Sequence, residues 1–286
     1  MTRESGAGAI EHALRSGASG LAAMAAQVTG LMWLRTTINH QYRHGGTGLA
    51  TLRALHREGG VPRLYRGYAA AMLQAPLSRF GDTACYTAAR RWGDDREGTP
   101  VWQTTAVASL GSSLWRLGLM PLDSLKTSMQ VHGKSGGAVL RQKIRVAGPG
   151  VLYHGYLGTA GATMLGYYPW FFTFGYLDRV LPPADPERPV AGLCRHAGMG
   201  FGASLVSDTV SNAARVTKTY RQTHPTPISY ADAARRMIAS DGWRGWLGRG
   251  LRTKWAANGI QSATFAVAWK HLESRLSAGD ESRREQ

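Results

Sequence analysis

Two short markers each occur three times in this chain, in the same order and at nearly the same spacing. The first reads cation, Thr, two residues, amide. It occurs as Arg35-Thr36-Thr37-Ile38-Asn39, as Lys126-Thr127 with Gln130, and as Lys218-Thr219-Tyr220-Arg221-Gln222. Its cations lie 91 and 92 residues apart. The second marker is Tyr65-Arg66-Gly67, Tyr153-His154-Gly155 and Gly248-Arg249-Gly250, with glycines 88 and 95 residues apart. Two markers advancing in step predict a threefold internal repeat. The units fall at 9–95, 96–184 and 185–277, followed by a charged tail, 278–286, expected to be disordered. The breaks between units are Asp94–Pro100 and Leu181–Pro189, both charged and rich in helix breakers.

Within each unit the pattern predicts two long helices: roughly 9–38 and 67–92, 101–130 and 156–180, 189–221 and 250–277. Each is long enough to cross a bilayer, which takes about 20 residues. Between the members of each pair lies a short amphipathic piece, expected to lie flat on one side. Leu49, Leu52 and Leu55 mark the first, and Ile228, Ala231, Ala234 and Met237-Ile238 the third. Gly198-x-x-x-Gly202 and Gly17-x-x-Gly20 are either close helix contacts or loop glycines.

Composition bounds the partners. The formal net charge of +16 suits nucleic acid, an anionic membrane surface or an anionic solute. Mean hydropathy is −0.24, low for a membrane protein, and no run of ~18 apolar residues appears. A helix facing lipid on one side and water on the other needs only a half-apolar surface. The 36 glycines fit membrane helices. Cys85 and Cys194 form neither a metal spacing nor a disulfide framework. Met1–Gly8 has no apolar signal core.

The central copy is the fullest: Pro121-Leu122-Asp123-Ser124-Leu125-Lys126. An acid–Gly link precedes the second marker as Asp241-Gly242 in the third unit. In the first unit it is Glu58-Gly59 or Gly59-Gly60, and in the second Ala147-Gly148. In these features the chain resembles the mitochondrial carrier family, from about residue 10 to about residue 276. The outer copies depart from the family pattern. Gly30 and Ala213 stand for the proline, and Met32 and Arg215 for the acid. The resemblance implies an all-α membrane fold of six transmembrane helices in three tandem pseudo-symmetric repeats, with short surface helices. It implies a multi-pass, monomeric solute carrier of the mitochondrial inner membrane, moving a small polar metabolite by alternating access.

The resemblance also assigns roles. A matrix gate would comprise Asp123, Lys126, Lys218 and Arg35. Asp123 can pair with Lys218, whereas Met32 offers Lys126 no acid and Arg215 sets a like charge against Arg35. The alternative for Asp123 and Lys126 is an ordinary i, i+3 surface pair. An opposite gate would draw on Arg90, Asp178, Lys270 and Glu273, in scrambled order for the family, with a local Lys270–Glu273 pair as the alternative. Substrate contacts would fall at Gln74, Thr163 and Asn258, beside Ala75, Ala162 and Ala257. Those residues can exchange hydrogen bonds with a polar solute or simply pack helices. Charges at membrane depth add Arg79, Asp82, Arg116 and Asp208. Arg79 and Asp82, one turn apart, are expected to neutralise each other, and Arg116 and Asp208 to share one depth. Tyr167, Tyr168 and Trp170 line a cavity or face lipid. Arg66, Gly67, Gly155, Arg249 and Gly250 would mark lipid sites at helix starts, with cardiolipin the implied lipid and His154 replacing the cation in the second.

The competing readings are a carrier-fold scaffold or adaptor that no longer transports, and a soluble basic protein. Nothing matches a zinc spacing, an RNA-recognition motif or a helix-turn-helix, so no nucleic-acid partner is expected. No nucleophile, acid–base pair, phosphate loop or metal cluster can be assembled, so neither an enzyme nor a cofactor is expected.

Overall fold

The computed structural model describes residues 25–94, 100–183 and 189–262, and these are helical throughout, with no strand. Helix α1 covers 25–44. It is followed by α2 (Gly48–Leu64), α3 (Tyr68–Asp94), α4 (Val101–Gly118), α5 (Met120–His132), α6 (Gly136–Ala147), α7 (Tyr156–Val180), α8 (Pro189–Thr223) and α9 (Tyr230–Gly248). Helix α10 covers 251–262. Side-chain oxygens start two of the short helices. The Thr47 hydroxyl accepts from Ala50 N, and the Ser229 hydroxyl accepts from Asp232 N, each satisfying a free N-terminal amide. The tail and the Gly17/Gly20 pair lie outside the described residues.

One long helix divides close to a proline, whereas α3 and α7 run on through Pro76 and Pro169. The stretch 101–132 divides at Leu119, two residues before Pro121. Proline lacks the amide that would continue the hydrogen-bond ladder. With Ala213 in the equivalent place, α8 runs unbroken for 35 residues.

Glycine decides the links. Gly60, Gly148 and Gly242 have φ of 65°, 77° and 69°, a left-handed conformation that glycine adopts without strain. Gly59-Gly60 is therefore the first unit's counterpart of Gly148 and Gly242, and Glu58 is free to pair with Arg63 at 2.9 Å.

The second marker works as a contact. A Cβ at Gly67 would fall 3.0 Å from the Lys126 carbonyl, and one at Gly155 would strike the Gln222 side chain. One at Gly250 would fall 2.8 Å from the Tyr42 ring. Numbering the long helices α1, α3, α4–α5, α7, α8 and α10 in order, each even one thus begins against the end of the next odd one, and the third contact returns to α1 and closes the ring. Gly81 against Trp115 and Gly111 against Cys85 bring α3 close to α4. Gly202 approaches Leu177, but nothing lies near Gly198, so only half of that predicted pair is a contact.

The short helices bury Leu55 and Met237 of the predicted stripes but not all of the rest. In α9 the buried residues are Ala233 and Met237, packed with Ile38, Tyr42 and Val216, while Ala231 is exposed. In α2 Leu55 is buried and Leu49 is exposed. Which side is buried is set by the elements each short helix packs against, Ile38, Tyr42 and Val216 in the case of α9.

The distribution of polarity is inverted. On α4 the exposed side chains include Trp102, Val107, Leu110, Leu114 and Trp115, and the buried ones include Thr105, Ser109, Ser112 and Ser113. On α7 the outer face carries Leu157, Leu165, Tyr168, Phe172 and Tyr176, while Ala162, Thr163 and Gly166 are buried. Tyr168 thus lies outside and Tyr167 half inside. Among the described residues no helix is long and apolar enough to cross a membrane. An average over the whole helix mixes the two faces.

Candidate gate and polar interior

The marker cations and amides meet where the three odd helices converge. Asp123, buried on α5, is the hub. Its Oδ2 lies 2.7 Å from Lys218 Nζ on α8 and accepts from Gln222 Nε2 at 3.2 Å. Its Oδ1 accepts from Lys126 Nζ at 3.1 Å and from Gln74 Nε2 of α3 at 3.0 Å. Lys126 also donates to Gln74 Oε1, so the amide supplies the acceptor that Met32 lacks. Gln74, read from sequence as a solute contact, thus bonds both Asp123 and Lys126. Asn39 donates to Gln130 across α1 and α5, and Gln130 Nε2 approaches Met32 Sδ at 3.6 Å. Arg35, the first marker cation, has no ion-pair or hydrogen-bond partner among the described residues.

Two further clusters hold the predicted deep charges, in pairings other than those predicted. Arg116 on α4 pairs with Asp82 on α3 at 2.7 Å and donates to Thr163 Oγ1 on α7 at 3.0 Å. Arg79 is exposed and does not neutralise Asp82, because α4 presents Arg116 to that carboxylate first. Asp208 on α8 faces Arg215 at 3.3 Å and Lys254 of α10 at 4.0 Å, and accepts from Asn258 Nδ2. Arg116 and Asp208 therefore sit in separate clusters.

Of the predicted opposite gate, Asp178 pairs with Arg195 at 2.8 Å. Arg195 also donates to the carbonyls of Asp178, Leu181 and Pro182, closing the end of α7. The Arg90 side chain, Lys270 and Glu273 lie outside the described residues.

A set of capping cations went unread in the sequence. Arg63 donates to the carbonyls of Gln130 and Val131 at 2.9 and 2.8 Å. Lys143 donates to Arg221 and Gln222 carbonyls, both at 3.1 Å. Arg249 reaches the Arg43 carbonyl at 3.2 Å and pairs with Asp241 at 2.7 Å. Each odd helix thus ends on a cation from the preceding unit, which satisfies orphan carbonyls and complements the helix dipole. The three caps occupy different places in their units, so no shared motif marks them. Arg249 is 7% exposed, and its donors are engaged within the protein. It is thus not presented to a lipid headgroup as its sequence position implied. Arg66 is half-buried, and Gly67, Gly155 and Gly250 are buried at their helix contacts.

Basic groups crowd the far end of these helices. His40 and His44 rings lie 4.5 Å apart, and the His132 ring bonds the Thr223 carbonyl at 2.7 Å. Burial, then the charges of His44, Arg63 and His132, pushes His40 down to about 4 from its ordinary 6.5. His44 is likewise lowered to about 4, by burial and then by Arg43, His132, Arg249 and Arg63.

Comparison with known proteins agrees in part with this geometry. No family model matches the chain. It is 27% identical over 225 residues to a protein named mitochondrial substrate carrier family protein X, from Dictyostelium discoideum, spanning 75% of this chain and 73% of that one. The chain is all-helical in its described residues and is similar to a distant relative named as a mitochondrial substrate carrier.

Proposed function

We propose that the protein is a multi-pass solute carrier of the mitochondrial inner membrane. Six helical spans in three tandem repeats move a small polar metabolite through a central site. The observation that carries this reading is the inverted polarity. Apolar side chains such as Leu110, Leu114, Leu165 and Phe172 face outward, while Ser, Thr, Asp and Gln side chains share the interior with apolar ones such as Met32 and Val216. A water-soluble bundle does the reverse. Low mean hydropathy follows from a polar inner face rather than from the absence of a lipid-facing one.

Alternating access needs a gate that is stable yet breakable, with a solute whose binding offsets its loss. The Asp123–Lys218 pair, 7% and 16% exposed at its two side chains, supports a closed gate at the matrix end. The clusters at Arg116–Asp82–Thr163 and Asp208–Asn258 are the proposed solute-facing groups. Arg66 and the starts of α3, α7 and α10 are proposed to meet cardiolipin headgroups.

The test is reconstitution of the purified protein into cardiolipin-containing liposomes, with uptake followed for a panel of labelled metabolites. We expect uptake of at least one solute and its loss in Arg116→Gln. Stable, folded protein that moves no solute in the panel would reject transport and leave the adaptor reading.

A further inference from the structure

The junction where α8, α10 and α1 meet carries three cations and one carboxylate. Arg215 follows Asp123 by 92 residues and holds its place in the repeat. Arg35 correspondingly holds the place of Lys218, which sits 2.7 Å from Asp123. The fold therefore aims a cation at a cation here. Arg215 turns instead toward Asp208 at 3.3 Å, and its Nε is buried without a partner. Lys254 reaches the same carboxylate only at 4.0 Å and Asn258 Oδ1 at 3.4 Å, within the field of both Arg215 and Arg35. Arg35 has no partner among the described residues.

Two cations sharing one carboxylate, with Arg35 unpaired in their field, form an unfavourable arrangement unless something neutralises it. Asp208 already accepts from Asn258 and pairs with Arg215, so it balances one charge and leaves two. The Arg215 and Lys254 side chains are 32% and 27% exposed, open to an entering solute. Guanidinium groups match the paired oxygens of carboxylate and phosphate.

We infer that this junction is an oxyanion site: a bound carboxylate or phosphate of at least two negative charges bridges Arg35, Arg215 and Lys254, standing in for the carboxylate that Arg215 replaces. The gate contact between α8 and α1 is then completed by ligand, whereas the one between α5 and α8 is completed by Asp123. The identification of the anion as the transported solute rests on the carrier reading; its binding does not.

The experiment is thermal unfolding of the full chain in detergent, titrated with inorganic phosphate and separately with malate, against chloride at equal ionic strength. Saturating anion is expected to raise Tm by roughly 2–4 °C. The active anion tells phosphate from carboxylate chemistry. Arg35→Gln is expected to lose the rise. Arg215→Glu is expected to lose it too and to melt higher than the natural chain without anion, because it restores the missing acid. No rise with either anion, or a rise kept in full by Arg35→Gln, overturns the inference. If Arg215→Glu does not fold, Arg35→Gln alone decides. An anion response without liposome uptake keeps this site and rejects the carrier reading. Uptake without any anion response does the opposite.

Discussion

Asp123 shows how much one carboxylate can organise. It neutralises Lys126 and Lys218 and accepts from Gln74 and Gln222 on different helices. Asp123→Asn keeps the shape and removes the charge, leaving two cations facing each other. Breaking a buried pair in this way costs about 3–5 kcal/mol. We expect a fall in melting temperature measured in detergent, and no comparable fall for Asp178→Asn, whose carboxylate is half exposed. Gly250 makes the same point sterically. Its φ is 65° and the Tyr42 ring occupies the space a side chain would need, so Gly250→Val is expected to destabilise by about 1–3 kcal/mol or more. The Asp123–Lys218 partnership was legible at this scale because repeat counting pairs the positions. Gln74 as an acceptor for Lys126 was not, since nothing in a one-dimensional count places α3 beside Lys126.

At the scale of elements, the chain solves one problem three times with different parts. Every odd helix must satisfy its last carbonyls, and Arg63, Lys143 and Arg249 do so for α5, α8 and α1. Arg63→Ala is expected to raise amide hydrogen exchange at the end of α5 and leave the end of α8 unchanged. Lys143→Met is expected to do the converse. A buried carbonyl left unpaired costs about 1–3 kcal/mol, so the two effects should stay local. Equal exchange changes at both ends in either variant would mean that the caps are not independent. The division at Leu119 departs from the continuous helix expected over 101–130. The buried phases of α2 and α9 were not legible either, because the neighbours a short helix packs against, such as Ile38, Tyr42 and Val216 for α9, decide which residues it buries.

For the whole molecule, inverted polarity and basic charge each give a test. Leu110 is 55% exposed, a position where a water-soluble protein would accept Lys with little effect. A lipid-facing position would resist it by about 2.5–3.5 kcal/mol. We expect Leu110→Lys to reduce the membrane-inserted fraction sharply on fractionation, and wild-type-like insertion would count against the proposed topology. Acid should also loosen the basic end. His40 and His44 are held near 4 when folded and return to about 6.5 when unfolded, so the unfolded chain binds more protons in that window. Their contribution is present above pH 6.5 and lost as pH falls toward 4. Melting temperature should drop across that range, and His40→Gln should flatten the drop.

By itself the sequence determined the all-helical character and the place of Asp123 against Lys218. These follow from repeat arithmetic and from local chemistry, where spacing and residue type suffice. Only the tertiary structure decided which charges share a partner. Arg116 takes Asp82, and Arg215 turns to Asp208 and leaves Arg35 alone. Long side chains choose among neighbours by distance, desolvation and the presence of a competing charge. Those quantities exist only once helices far apart in the chain stand side by side.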